Sequence, residues 1–208
     1  MMQGRLITLE GVDGAGKSTQ LLRIEQELKA HRIPYLLTRE PGGTSIGEAI
    51  RKVLLSPDFG EMAPETEALL YAASRAQHVR EVIRPALQEG RIVLCDRYYD
   101  SSLVYQGIAR HLGIDWIKYI NERAMDGLMP DRTLVFLLSP AEGLRRAQQS
   151  HTPDRLEGEK MAFHQVVYEG YVHLAQQDGG NRIVPIDAAK PVEEVWQEVK
   201  KALAFLWE

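Results

Sequence analysis

Apolar residues along this chain follow two rhythms: short unbroken runs, and longer stretches that repeat every three to four residues. Five runs read as strands: Leu6-Ile7-Thr8-Leu9, Ile33-Pro34-Tyr35-Leu36-Leu37, Ile92-Val93-Leu94-Cys95, 133–138 and Arg182-Ile183-Val184-Pro185-Ile186. Between them the spacing turns helical. Leu21, Ile24 and Leu28 predict a helix over 17–30, and another spans 46–55 with Arg51 on it. A long helix begins near Pro64, a good first-turn residue. Its small and apolar stripe is Leu69, Ala72, Ala73, Ala76 and Ile83, with Tyr71, Arg75 and His78 on roughly the opposite face. Asp100 to Gly107 is polar at intervals and predicts a helix start, and further helices are expected over 114–125, 142–148 and 160–176. The last one has Pro191 at its start, Glu193 and Glu194 where they suit the helix dipole, and Val192, Val195, Val199 and Leu206 as its buried stripe.

Strands alternating with helices predict an α/β fold, a parallel sheet with helices on both faces. The unbroken run Val135-Phe136-Leu137-Leu138 suits a strand buried on both sides. Without a repeat, a low-complexity tract or a linker, the expectation is one domain over 1–208.

Composition narrows the partners. A formal charge of −4 over 208 residues argues against a nucleic-acid groove or a polybasic membrane patch. The single cysteine, Cys95, sits inside an apolar run and reads as a small buried hydrophobe, so no disulfide framework is expected within one chain. The six histidines show no zinc-like spacing. The start does not read as a signal peptide, and the longest apolar stretch, 134–138, is far too short to span a bilayer. A soluble, reducing, cytoplasmic setting is expected.

The chemistry concentrates first in Gly11-Val12-Asp13-Gly14-Ala15-Gly16-Lys17-Ser18-Thr19, which follows the first strand and opens the first helix. It is a complete G-x-x-x-x-G-K-[ST] phosphate loop in the context that motif requires. Three glycines let successive N–H groups curl toward one anion, and the helix N-terminus adds its positive end. Lys17 is placed to reach the outer phosphates and Ser18 to hold Mg2+, so a nucleoside triphosphate site is implied. The run Ile92 to Cys95 ending in Asp96 has the form of a magnesium-supporting strand.

Ligands of such sheets bind at the carboxyl ends of the strands. Arg39, Arg51, Arg75 and Arg97 all fall there, more positive charge than one triphosphate requires. A second phosphorylated ligand would explain the excess. Salt bridges to Glu40, Asp96 or Asp100 are the alternative for each arginine.

These residues resemble those of the bacterial thymidylate kinases, within the nucleoside monophosphate kinase group. The likeness covers essentially the whole chain. It rests on Leu9-Glu10-Gly11 through Thr19, Thr38-Arg39-Glu40-Pro41-Gly42-Gly43-Thr44, Ala72-Ala73-Ser74-Arg75, Asp96-Arg97-Tyr98, Tyr105-Gln106-Gly107 and Asp154-Arg155-Leu156-Glu157. It implies a three-layer P-loop kinase fold with a five-stranded parallel sheet flanked by helices and a short lid at about 147–160. It implies transfer of the ATP γ-phosphoryl group to dTMP, with Mg2+ and as a homodimer, and no nucleic-acid or membrane partner is expected. ATP would lie on Gly11 through Thr19 with Arg145 or Arg146 near the adenine, and Mg2+ on Ser18 and Asp96. The implied dTMP set is Asp13, Arg39, Glu40, Pro41, Arg51, Tyr71, Ser74, Arg75, Arg97, Ser102, Tyr105 and Gln106. Within it, Asp13 faces the sugar, Tyr71 stacks on the base, Arg75 reaches the ring edge, and Ser102 and Gln106 read the base. A cis bond before Pro41 is also implied.

Lys17, Asp96, Arg97, Arg155 and Asp13 form the implied catalytic set. Some relatives carry a catalytic arginine in the phosphate loop, where Asp13-Gly14-Ala15 offers none. Others use lid arginines, and here Gln148 and Ser150 stand where some bacterial members have them. That leaves Arg155 as the residue expected to close on the transferred group. Another nucleoside or nucleoside monophosphate kinase of this architecture, or a nucleotide-gated binding module, is the alternative.

Overall fold

The structure, a computed structural model, describes residues 4–149 and 154–207. Ser150, His151, Thr152 and Pro153 of the expected lid lie outside the described residues. Five strands form one parallel sheet in the order β2-β3-β1-β4-β5: β1 (Arg5–Gly11), β2 (Tyr35–Arg39), β3 (Ile92–Asp96), β4 (Arg132–Leu137) and β5 (Ile183–Asp187). β1 and β3 are buried along almost their whole length, without alternation, because helices cover both faces. β2 is an edge strand and starts two residues later than the apolar run suggests. Ile33 is still bonded to the preceding helix through Leu28 O, and Pro34 has no N–H to give to a ladder.

Register places the functional ends level. Asp96 pairs with Leu9 of β1 on one side and Arg39 of β2 on the other. The loops that follow β1, β2 and β3 therefore open on one crevice.

Helix α1 (Lys17–Ala30) leaves the phosphate loop, and α2 (Ser45–Leu55) follows the loop after β2, capped by the Thr44 hydroxyl on Gly47 N–H. The peptide bond before Pro41 is cis. α3 (Pro64–His78) continues through a π-helical segment, Val79–Ile83, into α4 (Arg84–Gln88), whose Pro85 lacks the donor a regular helix would use. The expected stripe on α3 is corrected here. Leu69 is 51% exposed and Ala73 is exposed too, whereas Glu67, Ala68, Ala72, Ser74, Arg75 and His78 are buried. The charged face of this helix turns inward because its partners are other charged and polar groups lining a pocket.

After β3, α5 (Tyr99–Ser102) passes into a second π-helical segment, Leu103–Ala109, and then α6 (Ile114–Met125) follows. The chain closes with α7 (Pro140–Gln148), α8 (Met161–Asp178) and α9 (Val192–Ala202). Val195, Val199 and Leu206 are buried as expected. Val192 is half exposed, because it faces the open crevice beside Gly14 to Gly16 instead of the core. Cys95 is fully buried, its thiol donating to Arg97 O at 3.0 Å. Among the described residues, no helix is long and apolar enough to cross a membrane.

Candidate active site

The phosphate loop is built by close approach. Gly11 sits at φ 130° and Gly14 at φ 72°, and a Cβ at either would stand about 2 Å from a carbonyl oxygen: 2.4 Å from that of Phe136 or 2.1 Å from that of Gly143. The loop can therefore lie against β4 and α7 only as glycine. Lys17 begins α1 and is buried, folding back so that Nζ donates to Val12 O at 2.9 Å and Gly11 O at 3.2 Å. Burial, and then the neighbouring Arg97, lower its pKa. Gly14 to Thr19, Arg39, Arg51, Asp96, Arg97 and Arg146 line the crevice around this loop.

A second, partly enclosed cavity adjoins it. Tyr71, Arg75, Ser102, Tyr105 and Gln106 line it together with Pro41, Tyr98, Ser101 and the lid residue Leu156. Asp13, Glu40, Arg51, Arg97 and Asp154 line both spaces. The two cavities thus share a wall made mostly of charges.

Arg97 is the centre of that wall. Its backbone is left-handed, φ 66°, which costs a non-glycine residue on the order of 1 kcal/mol. What holds it there is a set of bonds: its N–H to Leu9 O at 2.9 Å, Nη1 to Gly11 O at 2.8 Å and Nη2 to Asp13 Oδ1 at 2.6 Å. Burial opposes both charges of the pair. Arg97 and Lys17 nevertheless hold the Asp13 carboxyl at about 2, and Asp13, with smaller help from Tyr105, raises the Arg97 pKa.

Arg75 is 1% exposed and uses four of its five N–H groups. Nε donates to Glu40 Oε2 at 2.7 Å, Nη1 to Ser102 Oγ at 3.0 Å and to Asn121 Oδ1, and Nη2 to Tyr98 O at 2.9 Å. Glu40 Oε1 is bonded to His78 Nδ1 at 3.0 Å, and His78 Nε2 to Thr38 Oγ1 at 2.7 Å. Arg75 thus forms the salt bridge to Glu40 that was one of its two sequence readings, and it also lines the cavity. Arg39 clasps Glu48 with two bonds of 3.0 Å at the rim. Arg51 donates to Pro41 O at 2.9 Å. Ser74 lines neither cavity; its hydroxyl accepts from Gly42 N–H at 3.2 Å and so positions the loop after β2.

The arginines in and before the lid fall in different places. Arg155 lines neither cavity. Its side chain is buried, with Nη2 2.8 Å from Glu67 Oε2 and Nε donating to Leu54 O at 2.8 Å. A buried carboxylate on α3 holds the guanidinium here, outside both cavities. Arg145 is exposed and pairs with Glu142, whereas Arg146, on the same carboxylate, lines the phosphate crevice. Arg146 also lines an adjoining recess with Thr19, Gln20, Ala188, Lys190 and Val192, a surface that sequence reasoning missed.

Glu10, Glu67 and Asn121 were also not picked out. Glu67 was within reach, since it continues the Tyr71, Arg75, His78 face back by one turn. Glu10 is buried under the site. Its Oε1 accepts from Tyr98 N–H at 2.8 Å and Ser101 N–H at 3.3 Å, and its Oε2 from Tyr171 OH at 3.0 Å and the Ser101 hydroxyl. Burial, then nearby Asp100, push its carboxyl up from 4.5 to about 7. A carboxyl raised on folding holds its proton more tightly in the native state. Its stabilisation is thus complete below the unfolded value and is lost as pH rises through about 7. The amount is on the order of 3 kcal/mol. Glu10→Gln keeps an acceptor for the two N–H groups and a donor for the hydroxyls. It is expected to flatten the fall of Tm between about pH 5 and 8, read by calorimetry; a slope equal to wild type would refute this origin.

A phosphate loop on a parallel α/β sheet, with a second charged cavity at its mouth, defines the class of P-loop kinases. The thymidylate kinase family model matches residues 9–199. A thymidylate kinase of Geobacillus sp. is 50% identical over 197 residues, covering 94% of this chain and 93% of the relative. That of Bacillus pumilus is 47% identical over 204 residues, covering 97% and 96%. The crystal structure of thymidylate kinase from Ehrlichia chaffeensis superposes with a TM-score of 0.76 at 29% identity, over 96% of this chain and 98% of that one. The chain belongs to the thymidylate kinase family.

Proposed function

We propose that this protein transfers the γ-phosphoryl group of ATP to dTMP, giving ADP and dTDP, with the triphosphate on the Gly11-to-Thr19 loop and dTMP in the adjoining cavity. The observation that carries this reading is the shared wall. Arg97 and Asp13 face both spaces, so one guanidinium can serve the attacking phosphate and the transferred group together. Two nucleotides repel, and a loose transition state spreads negative charge over oxygens. Alignment and fixed positive charge then do most of the work. Lys17 supplies the charge on the triphosphate side. Arg97 supplies it between the nucleotides, and Arg39 and Arg51 draw in the acceptor phosphate. Tyr71 stacks on the base, Ser102 and Gln106 read its edge, and Tyr105 packs under Arg97 with the guanidinium 5.4 Å from its ring centre.

Magnesium fits the residues present. Asp96 Oδ1 is buried without a hydrogen-bond partner among the described residues and borders the crevice beside Ser18. Among the described residues no group of three His, Cys, Asp or Glu side chains could hold a metal alone, so the ion would be shared with phosphate oxygens. Asp96 and Ser18 would hold it, and it would neutralise phosphate charge when bound.

A homodimer and a cytoplasmic location belong to the same proposal. Ile46 and Val53 of α2, Leu69 of α3 and Tyr119 of α6 are exposed apolar side chains on helices beside one another. Light scattering should give twice the 23.5 kDa chain mass; a monomer at micromolar concentration would count against the pairing. For the reaction, incubation with Mg-ATP and each of dTMP, dUMP, dCMP, AMP, GMP and thymidine is the test. kcat/KM for dTMP is expected to exceed that for dCMP by at least about 10²-fold. Equal use of the two would overturn the base assignment.

A further inference from the structure

Glu67 stands one helical turn before Tyr71 on the inward face of α3, is buried, and lines neither cavity. Three side chains converge on its carboxylate. Gln106 Nε2 donates to Oε1 at 2.8 Å, Arg110 Nη2 to Oε2 at 3.2 Å, and the Arg155 guanidinium lies 2.8 Å from Oε2. Arg110 is held in turn by Glu159 at 2.6 Å, and Arg155 by Leu54 O. The cluster therefore ties the C-terminal part of the lid to the one side chain of the acceptor cavity that is an amide.

A carboxylate only accepts hydrogen bonds, so Gln106 must turn its NH2 end toward Glu67. Its carbonyl oxygen is then the free end. Gln106 Oε1 accepts no hydrogen bond from any described residue, and the side chain borders the cavity. A carbonyl oxygen there is matched by a ring N–H at position 3, which thymine and uracil carry. In cytosine that position is a lone pair, and two acceptors would face each other.

We propose that Glu67 is a specificity-determining positioning residue: it fixes which end of Gln106 meets the base, with Arg155 anchoring it from the lid side. This rests on the reading that Gln106 contacts the base. Glu67 itself touches no substrate.

Glu67→Gln is the direct test, because an amide facing Gln106 accepts either orientation. The ratio of kcat/KM for dTMP over dCMP should fall by at least about ten-fold, through a higher KM for dTMP, with kcat at saturating dTMP within about five-fold of wild type. Gln106→Leu separates the two readings. If it leaves the ratio unchanged, Gln106 does not read the base and both readings fall. If it lowers the ratio and Glu67→Gln does not, the role of Glu67 alone is overturned. Should Glu67→Gln fail to fold, Arg110→Met carries the test, since it loosens Glu67 from outside both cavities. It should raise the KM for dTMP about three-fold or more and lower the dTMP preference, with kcat within about five-fold. An unchanged KM and an unchanged dTMP preference in this variant would overturn the role of Glu67.

Discussion

Replacing Arg97 by methionine is expected to lower kcat by about 10³ or more, the range found when an arginine that stabilises a transferring phosphoryl group is removed. The geometry makes the loss specific to turnover. Arg97 borders both cavities, and its guanidinium is held by Gly11 O and Asp13 before any ligand arrives. In the proposed reaction, positive charge is then already in place where negative charge develops, without reorganisation. Methionine keeps the stem and the left-handed backbone while removing the charge. Asp13 is left partly exposed, 32% for its side chain, so the fold should tolerate the change. Arg97→Lys should recover only part of the rate, since one ammonium cannot reproduce a fork that spans Gly11 O and Asp13. Steady-state kinetics at saturating ATP and dTMP decides this; a kcat within ten-fold of wild type for the methionine variant would remove Arg97 from its assigned role.

Arg75→Met should instead destabilise the whole chain, by about 3–5 kcal/mol, because it strands a buried carboxylate. Glu40 would keep only His78, and Ser102, Asn121 and Tyr98 O would each lose the same donor group. For a domain of this length that corresponds to a fall in Tm of roughly 6–20 °C. Combining it with Glu40→Gln should restore part of the loss, since the two residues are in contact and their effects are not additive. Thermal unfolding of the single and double variants provides the check; a Tm drop below about 3 °C for the single variant would mean the cluster carries little of the stability.

These two arginines also show where sequence reading succeeds. The strands were readable because a sheet covered on both faces needs unbroken apolar runs, and the phosphate loop because its glycines answer to a steric demand at fixed spacing. α3 was not. Its exposed Leu69 and buried Glu67, Arg75 and His78 invert the ordinary pattern, because burial there is supported by hydrogen-bonded ion pairs that join distant segments. The pairing of Glu67 with Arg155 leaves no local spacing to detect. Arg155 is placed by that pairing, outside both cavities. Its position in the lid suggested a reach toward phosphate, and only the carboxylate across the pocket shows why it points elsewhere.

The level ends of β2, β3 and β1 have a further consequence. Neighbouring strands stand about 4.8 Å apart, so the loop after β2 and the phosphate loop are separated by about 10 Å, with Arg97 rising from the strand between. The backbone ladder is thus a ruler laid across the reaction path. Side chains around the cavity can be exchanged to favour another base, while the spacing between the two loops that flank Arg97 stays fixed by two strand spacings.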